Sequence, residues 1–231
     1  YTMTTEALSA FSPFNTRDLN HPHGVYFGQN LVSGNMILIN RLMLQNSSLM
    51  ESSCPFIADR LAAMKMESVQ PYELLTALPE ASKQQFYRMA KFDYARFAGL
   101  FDLSPKKNLI IIGTSHSSAA SEQQQAAYVE RIIQQYGSDY DIFFKPHPAD
   151  SSSAGYPDRF EGLTLLPGQM PFEIFVWALL DKIDMIGGYP STVFLTVPVD
   201  KVRFIFAADA ASLVRPLNIL FRDATDVEWM Q

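Results

Sequence analysis

Hydrophobic residues in the second half of the chain follow two alternating patterns. Short apolar runs rich in isoleucine, phenylalanine and valine are separated by longer stretches whose apolar positions recur every three or four residues. Continuous short runs suit strands that are buried on both faces, as in parallel sheets, and the longer stretches suit helices. The predicted strands are residues 109–112, 140–144, 163–166, 183–186 and 202–206.

Two helices are predicted between these strands. In residues 119–136 the apolar side chains share one face, and Gly137 follows as a C-cap. Pro171 stands at the first position of the second helix, which continues over residues 172–180. Strands and helices that alternate with short connections indicate parallel βαβ units. The predicted fold class is therefore α/β, with a Rossmann-like, doubly wound parallel sheet.

The first hundred residues are less regular. Residues 36–44 fit either a buried strand or a helix, because periodicity does not separate the two in a short apolar run. Residues 84–101 predict one amphipathic helix, and a Ser-Pro-Lys-Lys turn at residues 104–107 separates it from the next strand. We therefore predict a first region at residues 1–105 and a Rossmann-like domain at residues 106–231.

Composition and charge narrow the classes of partner. The 231-residue chain has a net charge of −6 at pH 7, so it lacks the basic surface expected of a nucleic-acid-binding protein. Cys54 is the only cysteine and cannot form an internal disulfide, which fits a reducing compartment and equally a secreted protein without disulfides. No apolar run approaches the ~20 residues that span a bilayer, and the first residues lack the pattern of a signal peptide. The expectation is a cytoplasmic protein.

Polar residues directly follow three of the predicted strands. Ligands of open α/β sheets bind outside the carboxyl ends of the strands, so these residues are the first candidates for a binding site. They are Gly113, Thr114 and Ser115 after the first strand, Lys145, His147 and Pro148 after the second, and Ser191 and Thr192 after the Gly-Gly pair that follows the fourth.

His147 is the candidate catalytic residue, because prolines on both sides restrict its backbone. An imidazole held at a strand end can donate a hydrogen bond to a phosphate or protonate a leaving oxygen. The alternative is a loop histidine that caps a backbone carbonyl. Ser191 and Thr192 stand at a predicted helix start, where hydroxyls and free N–H groups bind anions. For them the alternative is simple N-capping by Ser191.

Two charged residues complete the candidate set. Glu173, in the first turn of the helix after Pro171, can accept hydrogen bonds from a ribose, or is favoured there only by the helix dipole. Lys145 can neutralise a phosphate, or is a solvated lysine at a strand end. His21 and His23 have no further histidine or cysteine at zinc-ligand spacing, so no metal site is predicted.

These segments together resemble the bacterial sialyltransferases of glycosyltransferase family 80, the family of the Pasteurella and Photobacterium enzymes. The segments that carry the resemblance are residues 109–115, 143–148, 170–173 and 187–192, in this order and spacing. The resemblance implies a GT-B enzyme that transfers sialic acid, or a related nonulosonic acid, from its CMP-activated donor to a galactose-type acceptor, with inversion and without a metal or other cofactor.

The same resemblance implies roles for individual residues. His147, Ser191 and Thr192 would hold the donor phosphate, Glu173 would bind the ribose, and residues 113–115 would lie near the nucleotide. The partners implied are CMP-sialic acid and a glycan acceptor. A lipid-linked acceptor, as in lipooligosaccharide biosynthesis, would place the enzyme at the cytoplasmic side of the inner membrane as a peripheral protein.

The sequence departs from the family pattern in two places. Thr192 stands where the family has a second serine, and the Asp-Asp-Gly-type motif whose aspartate acts as general base is absent. The resemblance makes residues 1–105 the acceptor-side region, which is therefore reduced or partial, or the chain is a fragment, or the base is supplied differently; Asp18 is one acid that we consider. Two alternatives remain: a CDP-glycerol-type polymer transferase, although Tyr189 and Pro190 replace its usual Asp-Tyr, and a non-catalytic nucleotide-binding module.

Overall fold

The computed structural model describes residues 41–45, 49, 65–116 and 118–231. By their contacts the described residues form two compact units. The small unit contains the residues up to Pro71 together with Ala210–Ala224, and the sheet unit contains Tyr72–Asp209 and Thr225–Gln231. Residues 72–105 thus group with the sheet, while the acceptor-side role of the region before residue 106 stays a prediction. His21, His23, Asp18 and Cys54 lie outside the described residues.

Strands and helices alternate through most of the described chain. The strands are β1 Arg41–Leu44, β2 Lys65–Ser68, β3 Lys107–Ile112, β4 Tyr140–Lys145, β5 Leu163–Leu165, β6 Met185–Gly188, β7 Val202–Ile205 and β8 Glu228–Trp229. The helices are α1 Pro71–Ala77, α2 Glu80–Met89, α3 Tyr94–Phe101, α4 Ala119–Tyr136, α5 Tyr156–Arg159, α6 Phe172–Leu179 and α7 Leu217–Leu220. In the small unit, β1 and β2 pair in parallel, which assigns a strand to the part of residues 36–44 that is described.

The six strands of the sheet unit form one parallel sheet in the order β5-β4-β3-β6-β7-β8. Counted from β3, this is the third-second-first-fourth-fifth-sixth order of Rossmann folds. The chain changes direction across the sheet between β3 and β6, and a crevice opens there at the carboxyl ends of the strands. The sheet confirms the predicted fold class and the existence of the five predicted strands, but the fourth, predicted at residues 183–186, runs over Met185–Gly188. The two-residue β8 was not predicted, because it is too short to show a pattern.

Helices cover both faces of the sheet because its strands are apolar on both sides. Leu109 and Ile111 of β3 pack in the core beneath α4, which contributes Val129 and Ile132. On the other face the ring of Phe143 lies 4.5 Å from that of Phe101 in α3. Helix α4 begins after Ser118, whose hydroxyl accepts from the Ser121 N–H, and ends at Gly137, as predicted.

One helix prediction was wrong. Residues 84–101 do not form a single helix, because α2 ends at Met89 and α3 begins at Tyr94. Lys91 takes a left-handed backbone conformation with φ of 52°, which an α-helix cannot contain. The Asp93 carboxylate then accepts from the Arg96 N–H at 3.0 Å and caps α3. The apolar residues of these two consecutive helices have the sequence spacing expected for one amphipathic helix.

Two details near the sheet edge also differ from the sequence-based predictions. Pro171 is the N-cap residue of α6 rather than its first helical residue. Ser191 is followed by a 3-10 turn, Thr192–Leu195, and not by an α-helix. The segment after β6 is therefore a tight turn whose backbone holds the two hydroxyls close to the sheet.

Candidate functional site

A cavity of about 300 Å³ lies at the carboxyl edge of the sheet unit. Four segments that are distant in the sequence line it: the ends of β3 and β4, the loop after β5 with the start of α6, and the turn after β6. We call it the ligand cavity. Of the predicted site residues, it brings together Gly113, Lys145, His147, Pro148, Glu173, Ser191 and Thr192. Thr114 and Ser115 do not line it.

Gly113 directly follows β3, at a point where no side chain fits. Its N–H donates to the Lys145 carbonyl at 3.0 Å, which continues the β3–β4 pairing to the cavity edge. A Cβ at this position would lie 2.6 Å from Cζ of Phe144. The next residue turns away, since the Thr114 N–H donates to the buried Gln125 side chain at 2.9 Å. The predicted Gly-Thr-Ser segment thus contributes backbone at Gly113 and not hydroxyls.

His147 presents one ring nitrogen that is free to donate. Its Nδ1 accepts from the Ala149 N–H at 3.1 Å, so the proton of the neutral ring sits on Nε2. The side chain is exposed at the cavity, and the backbone carbonyl of His147 accepts from the Asp150 N–H at 2.9 Å. These bonds fix the ring in its loop. The alternative in which the imidazole caps a backbone carbonyl does not hold, because Nδ1 is an acceptor and Nε2 has no carbonyl partner in the described chain.

Lys145 is not a solvated lysine, because only 4% of it is exposed. Its ammonium donates to the carbonyls of Pro146 and Gly168, both at 2.9 Å. Burial lowers the pKa of Lys145 to about 8, although the negative charge of Glu173 acts in the opposite direction. The ammonium therefore ties the loop after β5 to the end of β4 and brings a positive charge to the cavity wall.

Glu173 lies in the first turn of α6 and is half-buried. Within the described part of the chain its carboxylate makes no hydrogen bond or ion pair, and its effect on Lys145 is purely one of charge. Most of the other residues of α6, among them Phe175 and Leu179, have buried side chains that fix the helix on the sheet. The apolar helix thus presents one carboxylate to the ligand cavity with its oxygens available.

Ser191 and Thr192 contribute two hydroxyls to the lining of the ligand cavity. The Ser191 hydroxyl oxygen accepts from the Val193 N–H at 3.3 Å, which is the N-capping that the sequence left open. Its hydroxyl proton remains available to donate. Thr192 is exposed, and its hydroxyl has no hydrogen-bond partner among the residues the structure describes. Capping by Ser191 and binding by both hydroxyls are therefore compatible.

The two glycines that end β6 permit this arrangement. Gly188 has φ of +132°, which side-chain-bearing residues rarely adopt, and a Cβ there would clash with the Ile112 backbone. The following Tyr189 N–H donates to the Ile112 carbonyl at 3.0 Å. The end of β6 can thus approach β3 closely, and the Ser191 turn comes to the same cavity as Gly113.

Sequence reasoning missed a buried polar group beside these loops. Gln125 of α4 is fully buried; its Oε1 accepts from Thr114, and its Nε2 donates to the Tyr156 hydroxyl at 3.2 Å and to the Asp150 carboxylate at 3.4 Å. We call Gln125, Thr114, Asp150, Tyr156 and Ser152 the Gln125 network. The sequence feature that could have revealed this group is the position of Gln125 on the apolar face of α4, where the neighbouring residues pack on the sheet.

Asp150 carries the charge in the Gln125 network. Its carboxylate accepts from the backbone N–H and the hydroxyl of Ser152 at 2.9 and 2.7 Å. Burial alone would raise the pKa of Asp150, but hydrogen bonds from Ser152 and Ser153, together with the nearby His116, hold it below its ordinary value. Both ring nitrogens of His116 are buried without a hydrogen-bond partner in the described chain.

Two further features bear on ligands and membranes. Over the described ranges, no group of three histidine, cysteine, aspartate or glutamate side chains is arranged to hold a metal ion. Among the same residues, no helix combines the length and the apolar character needed to cross a bilayer.

Solved structures share this fold over nearly the whole chain. An α/β-galactoside α-2,3-sialyltransferase from Photobacterium phosphoreum matches with a TM-score of 0.70 and 19% identity, over 99% of this chain and 70% of its own. The GT-B domain of a sialyltransferase from Photobacterium damselae matches with a TM-score of 0.71 and 20% identity, over 100% of this chain and 71% of its own.

A third structure is a 2,6-sialyltransferase from Vibrionaceae Photobacterium sp. JT-ISH-224, in complex with CMP and lactose. It matches with a TM-score of 0.61 and 16% identity, over 97% of this chain and 51% of its own. No protein-family model and no curated protein sequence matches this chain. At these identities the likeness establishes a fold similar to that of the GT-B sialyltransferases.

Proposed function

We propose that this chain provides the donor-nucleotide domain of a sialyltransferase. The enzyme would transfer sialic acid, or a related nonulosonic acid, from its CMP-activated donor to a galactose-type glycan acceptor with inversion. One observation carries the proposal. Side chains suited to a phosphate and a ribose reach a single cavity from four separate segments, at the switch point where sheets of this type bind nucleotides.

The phosphate is the part of the donor that gains charge as CMP departs. The His147 Nε2–H and the hydroxyls of Ser191 and Thr192 are donors at the cavity wall that keep no internal acceptor in the described chain. Donors that are already oriented toward a developing negative charge stabilise the transition state most effectively. We assign these three side chains to the donor phosphate, with His147 as the catalytic donor.

The ribose suits Glu173, which also lines the ligand cavity. The Glu173 carboxylate can accept hydrogen bonds from two sugar hydroxyls, as acidic residues do in many nucleotide sites. The Lys145 ammonium uses two of its three N–H donors on Pro146 and Gly168, and its charge favours an anionic ligand nearby. Imidazole, hydroxyl and ammonium groups together can stabilise the departing phosphate without a metal, and we propose a metal-independent reaction.

One fold relative bears on the acceptor side of the reaction. The fold relatives include one solved with lactose, which supports a galactose-type acceptor. This chain covers 70%, 71% and 51% of the three matched chains, so the general base and the acceptor site need not lie in it. A lipid-linked acceptor in lipooligosaccharide biosynthesis would make the enzyme cytoplasmic and peripheral to the inner membrane.

The proposal is tested by incubating the protein with CMP-sialic acid, with and without lactose, and measuring free CMP and sialyllactose. We expect CMP to form from CMP-sialic acid, and His147→Ala to slow its formation by about ten- to a hundredfold. Ser138→Ala, at an exposed position just before β4 and outside the cavity, should leave the rate unchanged. CDP-glycerol in place of CMP-sialic acid tests the polymer-transferase alternative. If CMP is released from CDP-glycerol but not from CMP-sialic acid, the proposal of a sialyltransferase is rejected.

A further inference from the structure

Two loops pack against each other where they line the ligand cavity. We call residues 146–149, which follow β4, the His147 loop, and residues 167–170, which lie between β5 and α6, the β5 loop. A Cβ on Gly168 would lie 3.5 Å from the Cβ of Pro146, which is ordinary van der Waals contact. The backbone of the β5 loop therefore touches the His147 loop directly.

Two side chains also bond these loops together, one on each side of His147. The ammonium of Lys145 donates to the Gly168 carbonyl at 2.9 Å. The side-chain N–H of Gln169 donates to the Pro148 carbonyl at 2.8 Å. Because one bond lies before His147 and the other after it, the β5 loop restrains the backbone that carries the imidazole.

The two bonds differ in their surroundings. Lys145 is 4% exposed, whereas Gln169 is exposed and lines the ligand cavity. A hydrogen bond between neutral groups contributes little to folding where both groups can bond to water instead. The bond from Gln169 to Pro148 therefore acts mainly on the local position of the His147 loop, and little on the stability of the fold.

Hydrogen bonds inside the His147 loop do not replace the bond from Gln169. The Ala149 N–H donates to Nδ1 of His147 at 3.1 Å, and the Asp150 N–H donates to the His147 carbonyl at 2.9 Å. These two bonds orient the ring within its own loop. Gln169 instead joins that loop to the segment that enters α6, whose first turn carries Glu173.

We propose that Gln169 is a positioning residue for His147. It holds the His147 loop against the β5 loop, so that one ligand meets the His147 donor and the Glu173 acceptor together. The side chain acts through the Pro148 carbonyl and not by contact with the ligand. This inference deepens the proposed function and rests on it for the identity of the ligand.

Amide hydrogen exchange in the free protein, followed by NMR, tests whether Gln169 holds the loop. Gln169→Met has a similar length but no donor, so the N–H groups of Ala149 and Asp150 should exchange about three- to tenfold faster. Gln169→Lys restores a donor and should return both rates to those of the parent. Gln84→Met is the matched control, at another exposed glutamine, which makes a hydrogen bond to Glu80 at 2.8 Å.

Calorimetric titration with CMP tests whether the restraint acts through His147. Gln169→Met should weaken CMP binding about tenfold in the parent and much less in His147→Ala, because residues that act together give non-additive losses. Its free energy of unfolding should stay close to that of Gln84→Met.

The proposal is overturned if Gln169→Met leaves both exchange rates unchanged, or if Gln169→Lys does not restore them. Fully additive losses of CMP affinity would also overturn it, because they would show that Gln169 contacts the ligand itself. If the parent does not bind CMP, the proposed function is rejected, and the exchange rates alone decide whether Gln169 positions the His147 loop.

Discussion

Two groups of polar side chains meet at the carboxyl edge of the sheet, and they differ in where their hydrogen bonds go. In the Gln125 network the partners are internal: Gln125 bonds to Thr114, Asp150 and Tyr156, and Asp150 bonds to Ser152. Around the ligand cavity, His147, Glu173 and Thr192 keep a donor or acceptor without a described partner. Thr114 and Asp150 follow β3 and β4, the same two strands whose ends line the ligand cavity.

This difference in hydrogen bonding distinguishes side chains that stabilise the fold from side chains that are available to bind a ligand. Buried polar groups that satisfy one another hold loops in place, and losing one leaves the others unpaired at a cost in folding free energy. Polar groups that are oriented but unpaired are stable at an edge only because water or a ligand can reach them. We therefore expect changes in the Gln125 network to lower stability, and changes around the ligand cavity to lower nucleotide affinity.

We expect the largest loss of stability at the end of β6, because both groups depend on the close approach of this backbone to β3. Gly188→Ala forces a side chain into the Ile112 backbone at φ of +132°, and should lower the free energy of unfolding by about 3 kcal/mol or more. Gly155→Ala is the matched control, since a Cβ there meets nothing within 4 Å. Urea denaturation measures both. A loss in Gly188→Ala no larger than in the control would show that β6 does not need this close approach.

Gln125→Leu tests the internal group. The Thr114 N–H and the Tyr156 hydroxyl lose their partner inside the protein, so unfolding free energy should fall by about 2 kcal/mol. Gln134→Leu, on the exposed side of the same helix, should change it by less than about 0.5 kcal/mol. CMP affinity of the folded Gln125→Leu protein should change less than its stability. Normal stability with lost CMP affinity would reverse the assignment of the two groups.

Removal of the phosphate donors tests the other group. His147→Ala, and Ser191→Ala with Thr192→Ala, should each lower CMP affinity by about 1.5–3 kcal/mol, roughly ten- to a hundredfold. Their unfolding free energies should stay close to that of the parent, because no described residue loses a side-chain partner except the N–H groups of Ala149 and Val193. Calorimetric titration and urea denaturation give the two quantities. If the variants keep the CMP affinity of the parent but have a lower free energy of unfolding, these residues stabilise the fold and do not bind the phosphate.

Lys145 combines the two features, since it makes internal hydrogen bonds and also lines the ligand cavity, and it gives the smallest effect. Burial lowers its pKa to about 8, below that of a lysine in the unfolded chain, so the folded protein releases its proton first. Stability should therefore rise with pH from about 8 toward 10, by up to about 1 kcal/mol per pH unit more than in Lys145→Met. Stability measured in urea at several pH values checks this. Equal slopes in both proteins would show that the ammonium is not held at a low pKa.

The parts of the fold that were predictable were those with regular patterns. The bounds of α4 followed from its apolar periodicity and from Gly137, and β3 followed from a run of buried residues that includes Ile110 and Ile111. The break between α2 and α3 was not visible, because it depends on the backbone of Lys91 and on capping by Asp93. A stripe of apolar residues does not reveal a change in helix direction.

Site residues were predictable where they directly follow a strand or stand at the start of a helix. His147, Glu173, Ser191 and Thr192 follow from their positions after strands or at a helix start, and the structure brings them to one cavity. Their functional roles stay predictions. Thr114 was grouped with them because sequence order cannot show which way a residue turns, and Gln125 was missed because its partners are up to 31 positions away.

We propose that the unpaired groups of the ligand cavity bind cytidine monophosphate. Thermal denaturation of the protein with CMP, UMP and AMP, each over a range of concentrations, tests it most directly. CMP at 100 times its dissociation constant should stabilise the folded state by about 2.7 kcal/mol, UMP and AMP should stabilise it less at equal concentration, and His147→Ala should lose most of the CMP effect. Equal stabilisation by the three nucleotides, or none by CMP, would contradict the account.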